Sequence, residues 1–296
     1  MTPNPDPRIA FDAQAVLGEC VLWCERSASL FWTDIESQTL HRWWPDTGAS
    51  ARWPMPERLG SFALCESPDR LLLGLASGVA LFDLATGRPG ELLPVEADRP
   101  TTRINDGRCD RQGRFVFGTF NRSREGGAIG GFHRVATGHG RLLLEALPLP
   151  PVRVANGIAF SPDGTTMYFA DSPTSEIRCV DYGDRLGEPR SFARFAPGDG
   201  FPDGATVDAD GGLWSAHWDG GCVVRRAPDG SESRRIALPV TRPTCTAFGG
   251  PALDTLYLST ARVGLAGDQL AGQPAAGAIL GVPGAWRGLP EARFAA

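Results

Sequence analysis

The sequence predicts an all-β fold: a six-bladed β-propeller with four antiparallel strands per blade, its ring closed by an N-terminal strand. Three observations predict it. A short apolar run recurs six times, as Leu30-Phe31-Trp32, Leu71-Leu72-Leu73, Phe115-Val116-Phe117, Met167-Tyr168-Phe169, Leu213-Trp214 and Leu256-Tyr257-Leu258. The first residues of these runs stand 41, 44, 52, 46 and 43 positions apart, and a period of roughly 40–50 residues built from short strands is how propeller blades read in sequence. Glycine (37) and proline (25) are abundant, and no stretch longer than about ten residues carries the 3.6-residue apolar period of a helix.

Each repeat divides into strands at turn signals. The first supplies Cys20–Trp23, Leu30–Asp34, Leu40–Trp44 and Ala51–Trp53, separated by Glu25-Arg26-Ser27, Glu36-Ser37-Gln38 and Pro45-Asp46-Thr47-Gly48. The second supplies Phe62–Leu64, Leu71–Leu75, Ala80–Leu84 and Glu91–Val95. In the third, Asp110-Arg111-Gln112-Gly113 turns Ile104–Cys109 into Phe115–Thr119. Ser161-Pro162-Asp163-Gly164 and Asp208-Ala209-Asp210-Gly211 stand at the same place in the fourth and fifth. The sixth offers only Thr244–Phe248, Leu256–Thr260 and Ala278–Val282. Arg8–Phe11 is free to serve as its outer strand, which would close the ring and remove an exposed sheet edge. With no linker or shift of composition, residues 1–296 read as one domain, with 1–7 expected to be disordered.

The net charge of −5 and pI near 5.5 argue against nucleic acid or an anionic membrane surface as partner. No apolar run approaches the length of a membrane span, and the start, Met1-Thr2-Pro3-Asn4-Pro5-Asp6-Pro7, shows no secretory signal. Seven cysteines without a C-x-x-C pair read as buried free thiols in a reducing compartment, the cytoplasm.

Innermost propeller strands begin near the central channel on one face, so residues at equivalent starts converge on one mouth. Counting back 10 to 12 positions from each apolar run gives Glu19, Ser61, Asn105, Asn156, Asp203 and Thr244, with Arg103 two residues before Asn105. Two carboxylates and an amide oxygen facing one another call for a compensating cation. Oxygen donors without His or Cys suit one hard divalent ion. Taken singly, Asn156-Gly157 and Asp203-Gly204 are also ordinary turn dipeptides; their common phase with Glu19 favours a site.

Leu17-Gly18-Glu19 with Trp23, then Phe31-Trp32-Thr33-Asp34-Ile35, resembles the opening of the senescence marker protein/gluconolactonase/regucalcin family. Arg103-Ile104-Asn105-Asp106-Gly107, Asn156-Gly157-Ile158-Ala159-Phe160-Ser161-Pro162-Asp163-Gly164 and Phe201-Pro202-Asp203-Gly204 resemble its later motifs, in order, across nearly the whole chain. The resemblance implies a six-bladed propeller holding one divalent ion (Ca, Zn, Mn or Mg) and hydrolysing sugar lactones. By motif, Glu19, Asn156 and Asp203 are its metal ligands, and Arg103 and Asn105 bind lactone oxygens. Two departures stand out: Cys20-Val21 replace a usual Gly-Pro, and the loop after the third apolar run reads Asn121-Arg122-Ser123-Arg124-Glu125, so the family's acidic residue there falls to Asn121, Ser123 or Glu125; Asn121 is carried forward as a substrate-binding candidate.

The implied reaction is metal-assisted hydrolysis of a cyclic ester, with Asp203 the candidate general base and a water activated by the ion its competitor. Glu57–Leu64 and Arg108–Phe115 look similar to bacterial lactonases of the arabinonolactonase type, which makes L-arabinono-1,4-lactone or a related aldonolactone the expected substrate. Loops 121–131 and 261–277, both expected at the channel mouth, are candidates for choosing among lactones. The alternatives are a non-catalytic metal-binding or scaffolding propeller, or an esterase on non-sugar lactones. A serine triad on Ser61 lacks a nearby histidine. His217 reads as either pocket edge or structural, and Asp34 and Asp171 as turn caps at strand ends.

Overall fold

The computed structural model describes residues 6–296; the part of the expected N-terminal disorder on residues 1–5 lies outside them. Six antiparallel sheets are arranged as a ring of blades around a central channel, and almost no helix is present. The inner strands are Gly18–Cys24, Leu59–Leu64, Thr102–Cys109, Ala155–Phe160, Phe201–Val207 and Pro243–Gly249. Outside them run Ser29–Asp34, Arg70–Leu75, Phe115–Asn121, Thr166–Asp171, Leu213–Trp218 and Thr255–Thr260, which contain the six apolar runs and are buried on both faces. That double burial is why these runs read as continuous apolar stretches, while outer strands such as Ser50–Pro54 alternate between half-buried and exposed.

Arg8–Phe11 is the outer strand of the sixth blade, pairing Arg8 with Gly281 and Ile9 with Leu280. The first and last thirds of the chain thus share one sheet, which leaves the ring no open edge. The second blade departs from expectation. Its outer edge is not one strand over Glu91–Val95 but two short pieces, Arg88–Pro89 and Leu93–Pro94, both paired with Gly78–Asp83. Pro89 and Pro94 bring no N–H, so a continuous ladder cannot form there.

The core lies between blades. Phe31, Phe62, Leu73 and Phe82 join the first two, and Trp214, Phe248, Leu256 and Leu280 the last two. All seven cysteines are buried free thiols. Among the described residues no helix is long and apolar enough to cross a membrane.

The sequence pattern did not anticipate the last 13 residues. The segment 284–296 runs across the face opposite the channel mouth and joins the inner turns of four blades. Gly288 N donates to Leu253 O (2.9 Å), Ala209 N to Arg287 O (2.7 Å), Phe294 N to Leu64 O (2.8 Å) and Ala295 N to Gly113 O (2.9 Å). Trp286 sits edge-on to Trp214 at 4.9 Å, and Phe294 is fully buried beside Cys65 and Phe115. Glu291 meets the buried Arg108, which also donates to Thr246 O at 3.1 Å. This pair stops the channel from below.

Candidate active site

Every inner strand opens with a register irregularity. It lies between Glu19 and Leu22, Leu59 and Ser61, Ile104 and Gly107, Asn156 and Ala159, Pro202 and Ala205, and Pro243 and Cys245. A bulge at a strand start turns side chains that a regular pleat would send between blades. Glu19 opposite Thr33 and Asn156 opposite Ala170 hold the same place in their ladders.

The residue after each of these two has positive φ: Gly157 at 65° and Cys20 at 49°. Glycine takes that conformation freely, whereas a residue with a Cβ is strained there. Cys20 is held nonetheless, because its Sγ accepts from Phe62 N (3.3 Å) and lies 3.5 Å from Phe62 O. This contact with the second blade is what the Cys20 departure supplies. Burial pushes its thiol well up, so it is not a nucleophile.

Asp34 and Asp171, at equivalent strand ends, orient the approach to these bulges. Asp34 accepts from Val16 N (2.9 Å) and Leu17 N (3.0 Å). Asp171 Oδ1 accepts from Arg153 N (3.1 Å) and Val154 N (2.9 Å). Each therefore fixes the chain two or three residues before Glu19 or Asn156.

Glu19, Arg103, Asn105, Asn156 and Asp203 all line one cavity of about 450 Å³ at the channel mouth, walled on its apolar side by Phe120, Phe201 and Trp218. Ser61 and Thr244, the remaining members of the sequence ring, do not. Both are fully buried; Thr244 donates to Gly18 O at 2.5 Å and latches the sixth blade to the first. Asn121 is buried but outside the cavity lining. Its Nδ2 donates to Gly127 O (2.8 Å) and its Oδ1 accepts from Ser123 N (3.0 Å), so the amide braces its own loop. His217 is fully buried under Phe195, with Nδ1–H donating to Asp199 O at 2.8 Å. Burial pulls it down to about 4, which makes it a neutral structural histidine.

A directed chain of hydrogen bonds crosses the site. Arg103 Nη1 donates to Asn105 Oδ1 (2.7 Å), and Asn105 Nδ2 to Asn156 Oδ1 (3.1 Å) and Ala155 O (2.8 Å). Asn156 Nδ2 donates to Ser172 Oγ (2.8 Å), whose hydroxyl donates to Pro202 O (2.7 Å). The last link decides the rest: the Pro202 carbonyl can only accept, so Ser172 must donate to it and accept from Asn156. Both amides are thereby oriented, and Asn156 Oδ1 keeps a second lone pair. Arg103 also lies over the Phe120 ring at 4.9 Å. Ser172 had no place in the sequence ring, because it belongs to the turn after the second strand, where no periodicity marks it.

The electrostatics are those of crowded acids. Burial first, then Asp106, pushes Glu19 up to about 8; burial, Glu19 and Asp106 push Asp203 well above the carboxylate range. Asp106 is raised as well, mainly by burial, and accepts from Ile158 N at 2.7 Å. Its position inside the Asn105-Asp106-Gly107 bulge was the available signal for this third carboxylate. Burial draws Arg103 down to about 10, leaving it a cation at neutral pH.

Among the described residues no group of three or more His, Cys, Asp or Glu is placed to hold a metal ion. The set that lines the cavity is of a different kind, two carboxylates and one oriented amide oxygen. Oxygen-only donors that repel one another at close quarters fit a hard divalent cation.

Residues 17–262 match the family described as SMP-30/Gluconolactonase/LRE-like region. The chain is 47% identical to an L-arabinolactonase of Azospirillum brasilense over 99% of its own length and 97% of the relative's. It is 39% identical to a 6-deoxy-6-sulfogluconolactonase of Pseudomonas putida, covering 91% and 93% of the two chains. The crystal structure of a calcium-binding protein, regucalcin, from Agrobacterium tumefaciens superposes with a TM-score of 0.90 at 29% identity, covering 99% and 98%. This six-bladed propeller therefore belongs to the SMP-30/gluconolactonase/LRE-like family.

Proposed function

We propose that the protein is a divalent-metal-dependent sugar lactonase that hydrolyses L-arabinono-1,4-lactone, or a related pentono- or hexonolactone, to the aldonic acid. The observation that carries this reading is the convergence of Glu19, Asn156 and Asp203 with Arg103 and Asn105 in one cavity, in a chain 47% identical to a protein named L-arabinolactonase. Seven buried free thiols are consistent with work in a reducing, cytoplasmic compartment.

Glu19, Asn156 and Asp203 would hold one ion, Ca, Zn, Mn or Mg, which when bound polarises the ester carbonyl and offsets negative charge that develops on it. Asp203 takes a proton from the water as it adds to the acyl carbon and returns it to the ring oxygen as the acyl C–O bond breaks, so that this oxygen leaves as a hydroxyl. Arg103 spends Nη1 on Ile104 O and Asn105, which leaves Nη2 and Nε to donate to lactone oxygens. Asn105 has both ends of its amide engaged, so its part is to fix Arg103 and Asn156 and to share its carbonyl oxygen with a substrate hydroxyl.

The test is lactone hydrolysis by metal-stripped protein, titrated with Ca, Mn, Zn and Mg over aldono-1,4- and 1,5-lactones. Turnover restored by one ion and ranked by lactone supports the reading. Ion binding without turnover above the uncatalysed rate would leave a metal-binding propeller, as the name of the Agrobacterium tumefaciens relative suggests.

Two further outcomes follow from the geometry. Ser172→Ala removes the acceptor that orients Asn156, and a lost supporting contact of this kind weakens metal affinity by about 10–100-fold. Competition with a chelating dye should show that loss, and Ser172→Thr should restore most of it. Equal affinity in Ser172→Ala and wild type would refute the positioning role. Second, Glu19 folds with its carboxyl raised from 4.5 to about 8. The protonated form contributes stability that is complete below about pH 4.5 and is lost as pH rises through about 8. The Tm of metal-free protein should therefore fall across this window, less so in Glu19→Gln, and a saturating divalent ion should cancel the fall. A slope unaffected by both the ion and Glu19→Gln would sink this account.

A further inference from the structure

Among the described residues four charged side chains line the cavity: Glu19, Arg103, Asp203 and Arg153. The chemistry above uses three of them and leaves Arg153. Among the described residues its guanidinium makes no hydrogen bond or ion pair, and its Nε is sealed from solvent without a partner. Two other interior arginines are matched by carboxylates, Arg108 by Glu291 and Arg134 by Glu145, whereas Arg226, away from this cavity, shares with Arg153 a sealed Nε without a partner. A buried N–H donor without a partner is costly, so its persistence at a cavity wall points to a ligand.

The position of Arg153 is built. Its N–H donates to Asp171 (3.1 Å) and its carbonyl accepts from Asn121 N (2.8 Å), which fixes the backbone from both sides. The guanidinium lies against the backbone of Gly126, where a Cβ would come within 2.6 Å of Cζ. Gly126 also has a φ of +69°, so the 121–131 loop is shaped around this side chain by a residue that gives way to it. Arg153 joins the wall three residues before Asn156, roughly 10 Å of extended chain toward the rim. The inner end of the cavity holds the mutually repelling carboxylates Glu19 and Asp203, with Asp106 beside them. Where those carboxylates hold a divalent ion beside Arg103, Arg153 is the cation of the lining left for an anionic group at the other end of the substrate.

Building on the lactonase reading, we propose that Arg153 is a substrate-recognition residue for an oxyanion at the exocyclic end of the lactone, so that the substrate class extends to acidic sugar lactones carrying a terminal carboxylate or sulfonate. A planar guanidinium fork with its donors unspent matches either group in a two-point contact. The same contact sets direction: an acidic lactone enters with its charged tail at Arg153 and its ester toward Asp203. The hydrolysis itself is unchanged, water adding across the acyl C–O bond.

The experiment compares wild type, Arg153→Met and Arg153→Lys on a neutral pentono-1,4-lactone and on a hexaro-1,4-lactone bearing a terminal carboxylate. Calorimetric binding of the open hexarate dianion is measured in parallel. The expected result is hydrolysis of both lactones by wild type. Arg153→Met should then raise KM for the acidic lactone at least tenfold with kcat within threefold, while KM for the neutral lactone shifts less than threefold. Arg153→Lys, which keeps the charge without the fork, should fall between. Equal effects on both lactones, or a wild type that turns over only the neutral one, would overturn the proposal while leaving the lactonase reading intact. Absence of turnover on any lactone would instead remove the lactonase reading, and the binding arm then decides: dianion binding weakened tenfold in folded Arg153→Met supports the site, and unchanged binding refutes it.

Discussion

Asp203→Asn should reduce lactone turnover by a factor of about 10³ or more while making the metal-free protein more stable. The first effect follows from the proposed role: the amide cannot accept the proton of water, and general-base removal alone costs about 10²–10⁴ in rate. It is also a neutral and weaker ligand in place of an anion, so the ion affinity falls together with kcat. The second effect follows from the electrostatics. Glu19 raises the cost of ionising Asp203 in a buried setting, and because repulsion between like charges is mutual, removing one charge relieves the remaining one. The expected signature is therefore opposite in sign for the two readouts, a higher Tm without metal and a lost rate with it, as for sites where function is kept against stability. Measured together, kcat and the metal-free Tm check both. A variant that loses activity because it unfolds would lower both, and that result would remove the argument that these carboxylates are strained by each other.

The C-terminal segment should carry a large share of the stability without entering the chemistry. Phe294 is wholly buried between the second and third blades, and truncating a buried phenylalanine costs about 3–5 kcal/mol. Glu291→Ala leaves the buried Arg108 unpaired, for which about 3–5 kcal/mol is again the usual scale. Burial disfavours the Arg108 cation, and the neighbouring negative groups, Glu291 foremost, together outweigh it, leaving the guanidinium raised. Urea unfolding of Phe294→Ala and Glu291→Ala measures the two losses. The pair Arg108→Met with Glu291→Met should recover most of the second, since apolar replacement of a buried ion pair is commonly neutral. KM for the lactone in the folded variants should stay within about threefold, because the segment lies across the opposite face from the cavity. Losses below about 1 kcal/mol in both single variants would show that the ring holds without this strap.

How far the sequence reaches differs from one level to the next. The six blades are legible because the second strand of each is buried on both faces, and a strand in that setting must be apolar throughout. The closing role of Arg8–Phe11 is legible by elimination, since the sixth repeat lacks an outer strand and a ring requires one. The candidate site is legible in part. Glu19, Asn105, Asn156 and Asp203 share a phase because each blade places the start of its inner strand at the same mouth. Ser61 and Thr244 share that phase yet sit sealed between strands, because a bulge turns each side chain by an amount the spacing does not encode. Cys20 illustrates the same limit from the other side: its sequence identity shows a departure from glycine, but only its contact with Phe62 shows how the strained φ is held.

By itself, then, the sequence determined the architecture, the blade count, the closure and the four polar positions that face the mouth, because those follow from burial and period, which are properties of successive residues. The tertiary structure alone decided the orientation of Asn156 by Ser172, the third carboxylate at Asp106, the bracing role of Asn121, the unpartnered Arg153 and the strap that closes the channel from below. The contacts involved join residues from about 6 to more than 180 positions apart, and they, like the want of one at Arg153, are set by how loops, strands and blades come together in three dimensions, which no local pattern of the chain records.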